Sequence, residues 1–474
     1  MSLERNSQAN RIWRSLLIPM IALWFLAILF SWFSPERGVL LIRNLMLPVL
    51  LMFSGAWLMK RGKTYHTEEL LLFVLAIWYV ITRMLNGSHY LETDADFACQ
   101  LVVMVCVAFP LADNLGAHRD RGLKLLAALF AGALSVIAWI AVIATVLRTP
   151  FQSPLSNLVI GVNDIYANPA RLNVLDMHPN IAGATFCLAF GLTLYLLAAL
   201  KSKWRFLPCI LAAIGLFAAV ALTLSRTAMI VLSLEVGGFG YLLLMRRLKM
   251  TNRFLQVLVS LLACGILVVA SFAGLYRSIS GMDALSSALS PRQSAASVSE
   301  SVSSDTSTQA ANSAAQPADN GSIVDQSRLN DDVGTFAGRL NDIYPSVIPV
   351  LQKRPITLLI GNATDKVITE ANRITGRYLY HWHNSFLQTL MTAGLPALLA
   401  VLAFTVLLVI QAGRLVFSRK AAFATQVLVL PVAGVFLHSM LENLLFVNVG
   451  LPSLLFILLS GFIFSYGRES SAQK

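Results

Sequence analysis

Twelve apolar segments, most of them near twenty residues long, recur along this chain and leave little room for any fold not built across a membrane. They lie at about 16–33, 39–59, 69–86, 97–112, 125–147, 181–200, 207–224, 228–245, 255–275, 393–411, 421–441 and 450–466. A spanning helix needs roughly 17–25 predominantly apolar residues. Of the 474 residues, 57% are hydrophobic and 13% charged, against about 45–50% and about 25% in soluble domains. A soluble fold could not hide that much apolar surface. The expected fold class is all-α: a polytopic integral membrane protein with about twelve transmembrane helices. The first segment follows Arg5, Arg11 and Arg14 with no small-residue cleavage motif after it, so it reads as a retained helix and not as a signal peptide.

Loop charges supply an independent check. With the N-terminus inside, Lys60, Arg61 and Lys63 fall inside, as do Arg119, Arg121 and Lys124; Lys201, Lys203 and Arg205; Arg246, Arg247, Lys249 and Arg253; and Arg414, Arg419 and Lys420. The 86–96 loop, with Glu92, Asp94 and Asp96, falls outside. Positive residues concentrate on the cytoplasmic side of membrane proteins, so both termini are expected in the cytoplasm. The same bias explains the net charge of +12 without a nucleic-acid partner. All five cysteines lie in or beside apolar runs and read as small hydrophobes, neither a disulfide framework nor a zinc site.

Two outer segments are too long to be mere connectors, 148–180 and 276–392. The expected organisation is spans one to nine over 1–275, a large extracytoplasmic loop over 276–392 between spans nine and ten, and the last three spans with a short tail over 393–474. Within the large loop, 283–325 is rich in Ser, Ala, Gln and Asp and is expected to be disordered. Residues 333–392 regain aromatic and aliphatic side chains and are expected to fold, with short helices at Asp342–Leu351 and Thr364–Arg373. There is no internal repeat, no Gly-rich phosphate loop and no nucleotide fingerprint.

Few polar residues near the outer ends of the spans could carry chemistry. Arg226, in LTLSRTAMI, reads either as an arginine snorkelling to the interface or as an anion-binding group on the floor of an outward cavity, where its planar fork suits phosphate. Arg339, in TFAGRLNDIY, reads on its own as a solvated loop residue, and Asn180, after His178 and Pro179, as a helix start. His438 and Glu442 are four apart on one predicted helix and would share a face, as a buried polar pair or a proton relay. His381 and His383, in RYLYHWHNSFLQTLMTAGLP, would share one side of an extended strand. A metal site would need further ligands, and no Cys or HExxH-type spacing supplies them, so no metal is expected. Asn384 can cap the helix that follows, leaving His383 at its mouth as an interfacial residue or a general base on a hydroxyl.

One pattern goes further. His383-Asn384, nine residues and Gly394, in HNSFLQTLMTAGLP, resembles the signature of the O-antigen ligase and O-antigen polymerase superfamily of bacterial membrane glycosyltransferases. Four further features are similar and in the same order: HPN at His178–Asn180, SRT at Ser225–Thr227, GR at Gly338–Arg339 and LLIGNA at Leu358–Ala363. The resemblance implies transfer of a glycan from an undecaprenyl-diphosphate carrier to an acceptor hydroxyl at the outer face of the bacterial inner membrane, with no cofactor or required metal. It implies that His383 is the base and that Arg226 and Arg339 hold the diphosphate; His381, Asn384, Asn180 and Glu442 are expected to support them. The acceptor stays open between a growing glycan, a lipid A core and a protein hydroxyl. Two readings from other classes also stand: a lipid-linked glycan flippase or proton-coupled transporter, with its charges at the bilayer midplane, and a non-enzymatic anchoring subunit.

Overall fold

The structure is a computed structural model that describes residues 2–34, 37, 41–61, 65–86, 98–152, 159–163, 171–174, 177–200, 204, 206–248, 252–289, 344, 346–362, 368–369, 372–373, 381–418, 420–447 and 450–472. Helices dominate it. In chain order they are α1 (Ser2–Phe33), α2 (Leu47–Arg61), α3 (Thr67–Asn86), a helical stretch over 98–108 leading into α4 (Leu111–Leu115), α5 (Arg119–Val146), α6 (Pro179–Ala199), α7 (Phe206–Leu222), α8 (Arg226–Arg247) and α9 (Arg253–Leu289). After the large loop come α10 (Val347–Lys353), α11 (Thr357–Ile360), α12 (Ser385–Phe417), α13 (Phe423–Val427), α14 (Val429–Ser439) and α15 (Leu451–Ala472). Among the described residues, seven helical stretches are long and apolar enough to cross a membrane: Leu16–Phe33, Ala98–Val146, Pro179–Ala199, Arg226–Arg247, Phe254–Ser286, Ser385–Phe417 and Leu451–Glu469. Three shorter apolar helices lie at Asn44–Gly55, Phe206–Leu222 and Phe423–Ser439. The chain is an all-α polytopic membrane protein.

Burial separates the centre of the bundle from its rim. Within α6, 83% of the apolar window is buried inside the protein, and within α15, 89%. In α9 the figure is 6%. A helix that is apolar all round belongs in the interior, and α6 meets that condition, with Phe186, Leu188, Ala189 and Leu192 all fully buried. The face of α9 that carries Leu262, Ile266 and Val269 is exposed, as a lipid-facing surface would be. In the middle, Phe109, Phe404 and Phe464 stack on one another with centroids 5.7–6.0 Å apart.

One end of the bundle is tied by charge. Arg119 donates to Glu469 at 2.6 and 2.9 Å and to Ser465 at 2.9 Å, and its guanidinium lies 3.9 Å from the Tyr466 ring centroid. Arg468 pairs with Glu68 and Asp113. Arg246 bonds Gln426 and the Ala421 carbonyl. The Arg119 and Arg468 contacts hold the C-terminal helix against α3, α4 and α5, and the Arg246 contacts tie α8 to α13 and the residues before it.

Three features depart from the sequence reading. The 148–180 segment contains a small antiparallel sheet, β1 (Phe151–Gln152), β2 (Val159–Asn163) and β3 (Arg171–Val174), in the order β1-β2-β3 with Ile160 opposite Val174. Helix α9 runs to Leu289, so the helical region overlaps the start of the tract expected to be disordered. Leu275, Ile279, Met282 and Ser286 form a buried stripe at spacings of four, three and four residues, and Arg148 Nε donates to Ser286 Oγ at 3.0 Å. Helix α10 begins at Val347 and not at Asp342, after Pro345, which disfavours helical backbone in the residue before it. Residues 290–343, and most of the helix expected at Thr364–Arg373, lie outside the described residues.

Candidate functional site

The site forms where the ends of α6, α8 and α12 meet the turn after α14. Asn384 is the N-cap of α12. Its Oδ1 accepts from the backbone N–H of Phe386 and of Leu387, both at 2.9 Å, and its Nδ2 donates to the Met440 carbonyl at 2.8 Å. Side-chain capping supplies partners for the N–H groups that a helix start leaves unpaired. Here the cap also reaches the neighbouring chain segment. Ser385 does the same, more deeply buried. Its Oγ donates to the Glu442 carbonyl at 3.0 Å and accepts from the Leu444 and Leu445 N–H groups at 2.9 and 3.1 Å. Ser385→Ala removes the acceptor of two buried N–H groups, and each unsatisfied group costs about 1–3 kcal/mol. The expected result is a lower thermal midpoint in detergent together with loss of activity, because the segment carrying Glu442 loses its anchor.

The sequence reading put Glu442 and His438 on one helix face. The structure corrects that: α14 ends at Ser439, and Glu442 lies in the turn beyond it. The bonds from Ser385 draw residues 442–445 off the helix path. Glu442 thus faces the α12 entry. Its Oε2 lies 3.1 Å from His383 Nδ1, and its Oε1 accepts from Asn180 Nδ2 at 2.6 Å. The carboxylate is almost fully buried while the imidazole is partly open. With Glu442 ionised, its oxygens only accept, so His383 donates through Nδ1 and its Nε2 is the acceptor. A carboxylate bridging a histidine and an amide donor holds the ring in one tautomer and one orientation.

His383 has a left-handed backbone, with φ +50°, uncommon for a non-glycine residue. That conformation turns its N–H onto His381 Nδ1 at 3.1 Å and brings the two rings to a centroid distance of 4.0 Å. Between them, Trp382 points inward and is fully buried with Val347, Val350, Ile368 and Met391. Its backbone N–H donates to Gln388 Oε1 at 3.1 Å. Both histidines face one way and the tryptophan the other, although the left-handed backbone at His383 means that the segment is not the extended strand expected. Tyr344 Oη adds long bonds of 3.4 Å to the carbonyls of His383 and Met440.

Asn180 is not the cap of its own helix. His178 is the N-cap of α6, and its Nδ1 accepts from the Asn180 N–H at 3.3 Å, with Pro179 at the first helical position. The Asn180 side chain is thereby left to reach Glu442. One turn on, a Cβ on Gly183 would come within 2.7 Å of Ala228 and 3.4 Å of Ser225. The SRT turn therefore packs on the same end of α6 as Asn180. Ser225 caps α8, accepting from the Ala228 N–H at 3.4 Å, after Leu224 at φ +50°. Arg226 is the first residue of α8 and half-buried. So Arg226, Asn180, Glu442 and His383 stand at one end of the bundle, opposite the basic end. Arg339 lies outside the described residues.

The remaining motifs build the platform. Gly394 breaks α12, with φ +78° and ψ −177° inside it. The short helix 385–393 is offset from the apolar helix that resumes with Leu395 and Pro396. Carbonyls freed by the break find outside donors: Met391 O accepts from the Asn362 N–H at 2.9 Å, and Ala393 O from Trp78 Nε1 at 2.7 Å. Arg354 ties the other side, donating to Asn362 Oδ1 at 2.6 Å and Asn86 Oδ1 at 3.1 Å. Neither Trp78, Asn86 nor Arg354 carried a signal in the sequence.

Residues 210–402 match the family model described as O-antigen ligase. Over that stretch the chain is similar to the O-antigen ligase family. No curated protein matches it in sequence. The matched stretch contains Arg226, His383 and Gly394 but stops short of Glu442 and begins after Asn180. The two residues that orient His383 therefore come from outside the region the family model covers, and they are connected to it only by the fold.

Proposed function

We infer that this ligase/polymerase-like membrane enzyme transfers a glycan from undecaprenyl diphosphate to an acceptor hydroxyl at the extracytoplasmic face of the bacterial inner membrane, with His383 as general base. The observation that carries the reading is the hydrogen-bonded series Asn180–Glu442–His383, which leaves one imidazole nitrogen free to take a proton. The site stands at the end of the bundle opposite the basic residues, which the charge rule puts outside the cytoplasm.

The chemistry runs as follows. Nε2 of His383 removes the acceptor's hydroxyl proton as its oxygen attacks the anomeric carbon. The bond from that carbon to the diphosphate breaks, and the electron pair leaves with undecaprenyl diphosphate. The imidazolium, stabilised by the Glu442 carboxylate, then gives its proton to solvent. Negative charge builds on the leaving diphosphate, and fixed guanidinium groups stabilise such charge most effectively in a site with little water. Arg226 is the residue proposed for that task, with Arg339 as its partner. Apolar helix faces would hold the polyprenyl chain. The donor glycan, and the choice among a glycan, a lipid A core and a protein acceptor, would be set by the loops around this end.

The direct test is a reconstituted assay with undecaprenyl-diphosphate oligosaccharide, following release of undecaprenyl diphosphate with each acceptor class. Arg226→Lys is expected to lower the transfer rate by about 10²–10³-fold, the scale for losing one donor to developing charge, because lysine keeps the charge but lacks the bidentate fork. Transfer within twofold of the unaltered protein would remove Arg226 from the diphosphate site.

A further inference from the structure

His381, His383 and Glu442 each offer one ligand atom, and these three atoms all lie within 4.8 Å of one another. No third donor stands at metal-binding spacing in the chain; the fold supplies one 59 residues after His383. Two imidazoles and a carboxylate make a donor set that suits zinc and its transition-metal neighbours, whereas magnesium and calcium take oxygen ligands. The separation is near what an ion needs. Two ligands on a tetrahedral zinc with bonds of about 2.0–2.1 Å sit about 3.3 Å apart, and His383 Nδ1 and Glu442 Oε2 are already at 3.1 Å.

The surroundings favour ligation too. Glu442 is held from behind by Asn180 Nδ2 at 2.6 Å, the kind of outer hydrogen bond that orients metal ligands. Its backbone is pinned by Ser385. The carboxylate is buried, while both histidines are partly exposed, so an ion has a way in and a fourth position left for water. Ligation by His381 through Nδ1 exchanges the hydrogen bond that this atom accepts from the His383 N–H for a bond to the metal, and ligation at His383 Nδ1 shifts the ring proton from Nδ1 to Nε2.

We propose that His381, His383 and Glu442 form a binding site for a divalent transition metal, zinc above all, and that its occupation blocks transfer by engaging His383. The site itself rests on the donor geometry. The block rests on the reading of His383 as the base. A metal ion on the imidazole would remove the nitrogen pair and the carboxylate contact that proton transfer uses.

The test takes the purified full-length chain in nanodiscs, with an affinity tag free of histidine. Zn²⁺ titrated by calorimetry should bind at one ion per chain, Co²⁺ should give the absorption bands of a tetrahedral N/O site, and excess Mg²⁺ should not compete. His381→Ala and Glu442→Gln should each weaken Zn²⁺ by at least about 10-fold, the loss seen even for outer-shell partners of a bound metal. Should the buried Glu442→Gln variant fail to insert, His381→Ala, at a half-exposed position, decides alone. Absence of stoichiometric Zn²⁺ binding, or binding undiminished in the variants that insert, overturns the proposed site. The transfer assay then separates the two readings. Inhibition by Zn²⁺ that a chelator reverses supports both. If Zn²⁺ binds through these residues and transfer proceeds at an unchanged rate, the metal site stands and the assignment of His383 as base falls.

Discussion

Replacing His383 with alanine is expected to lower glycan transfer by about 10²–10⁴-fold, the usual contribution of a positioned general base, while the protein still inserts and purifies as a single species. The side chain is partly open to solvent and lies at a helix entry outside the buried apolar cluster, so its removal leaves the apolar core of the bundle intact. Glu442→Gln should act through the histidine. It keeps the shape but loses the charge that fixes the tautomer and steadies the imidazolium, the role a carboxylate plays behind a catalytic histidine elsewhere. If the two residues form one unit, the double variant will be little slower than His383→Ala alone, since groups that act together are strongly non-additive. The measurement is the initial rate of product formation in proteoliposomes, with size-exclusion profiles as the folding control. A His383→Ala enzyme working at full rate would end the proposal that this residue takes the proton.

Much of this arrangement could be read from the sequence, and the reasons differ between parts. Helix positions were largely legible because a membrane leaves its mark directly on hydropathy: eight of the twelve expected spans overlap helical stretches long and apolar enough to cross a membrane, those at 39–59, 207–224 and 421–441 hold shorter apolar helices, and 69–86 coincides with α3. The helix start at Asn384 was legible because capping is local chemistry, confirmed by two bonds at 2.9 Å. The small sheet was not, since strands of two to five residues show too little alternation to stand out. The continuation of α9 to Leu289 was hidden by the Ser/Ala composition of its last turns, where Met282 and Ser286 are the buried positions beyond Ile279 among the described residues. The partnership of Glu442 was obscured by a regularity that does not hold. A four-residue spacing from His438 predicts a shared helix face, but Ser385, far away in sequence, unwinds that stretch and turns Glu442 toward His383. Asn180 reaches the same carboxylate from 262 residues away. No local pattern encodes such a contact; it follows from three helix ends meeting at one place.

The second large effect is expected at a residue that touches no substrate. Gly394→Ala should prevent the outer platform from assembling, at a cost above about 4 kcal/mol, a range reached only by severe steric or packing defects. Two causes act together. Backbone near φ +78° and ψ −177° is essentially reserved for glycine. A Cβ there would also lie 2.2 Å from the Leu359 carbonyl oxygen and 2.9 Å from the Gly361 nitrogen. Both are main-chain atoms, so no side-chain rotation relieves the clash. The contact is reciprocal: a Cβ on Gly361, at φ +67°, would meet the Thr392 carbonyl at 2.2 Å. Two glycines thus allow two backbones to touch, and the bond from the Asn362 N–H to Met391 O is made only at that distance. Separating them would swing the helix 385–393 and carry His383 away from Glu442. Gly132→Ala is the matched control, since a Cβ there meets nothing within 4 Å and alanine is favoured over glycine in a helix by about 1 kcal/mol. Thermal unfolding of detergent-solubilised protein should separate the two substitutions clearly. If Gly361→Ala and Gly394→Ala disrupt the same contact, combining them should cost far less than the sum of the two. A Gly394→Ala protein with normal yield, melting behaviour and activity would show that the nine-residue spacing from His383-Asn384 to this glycine does not set the geometry of the site.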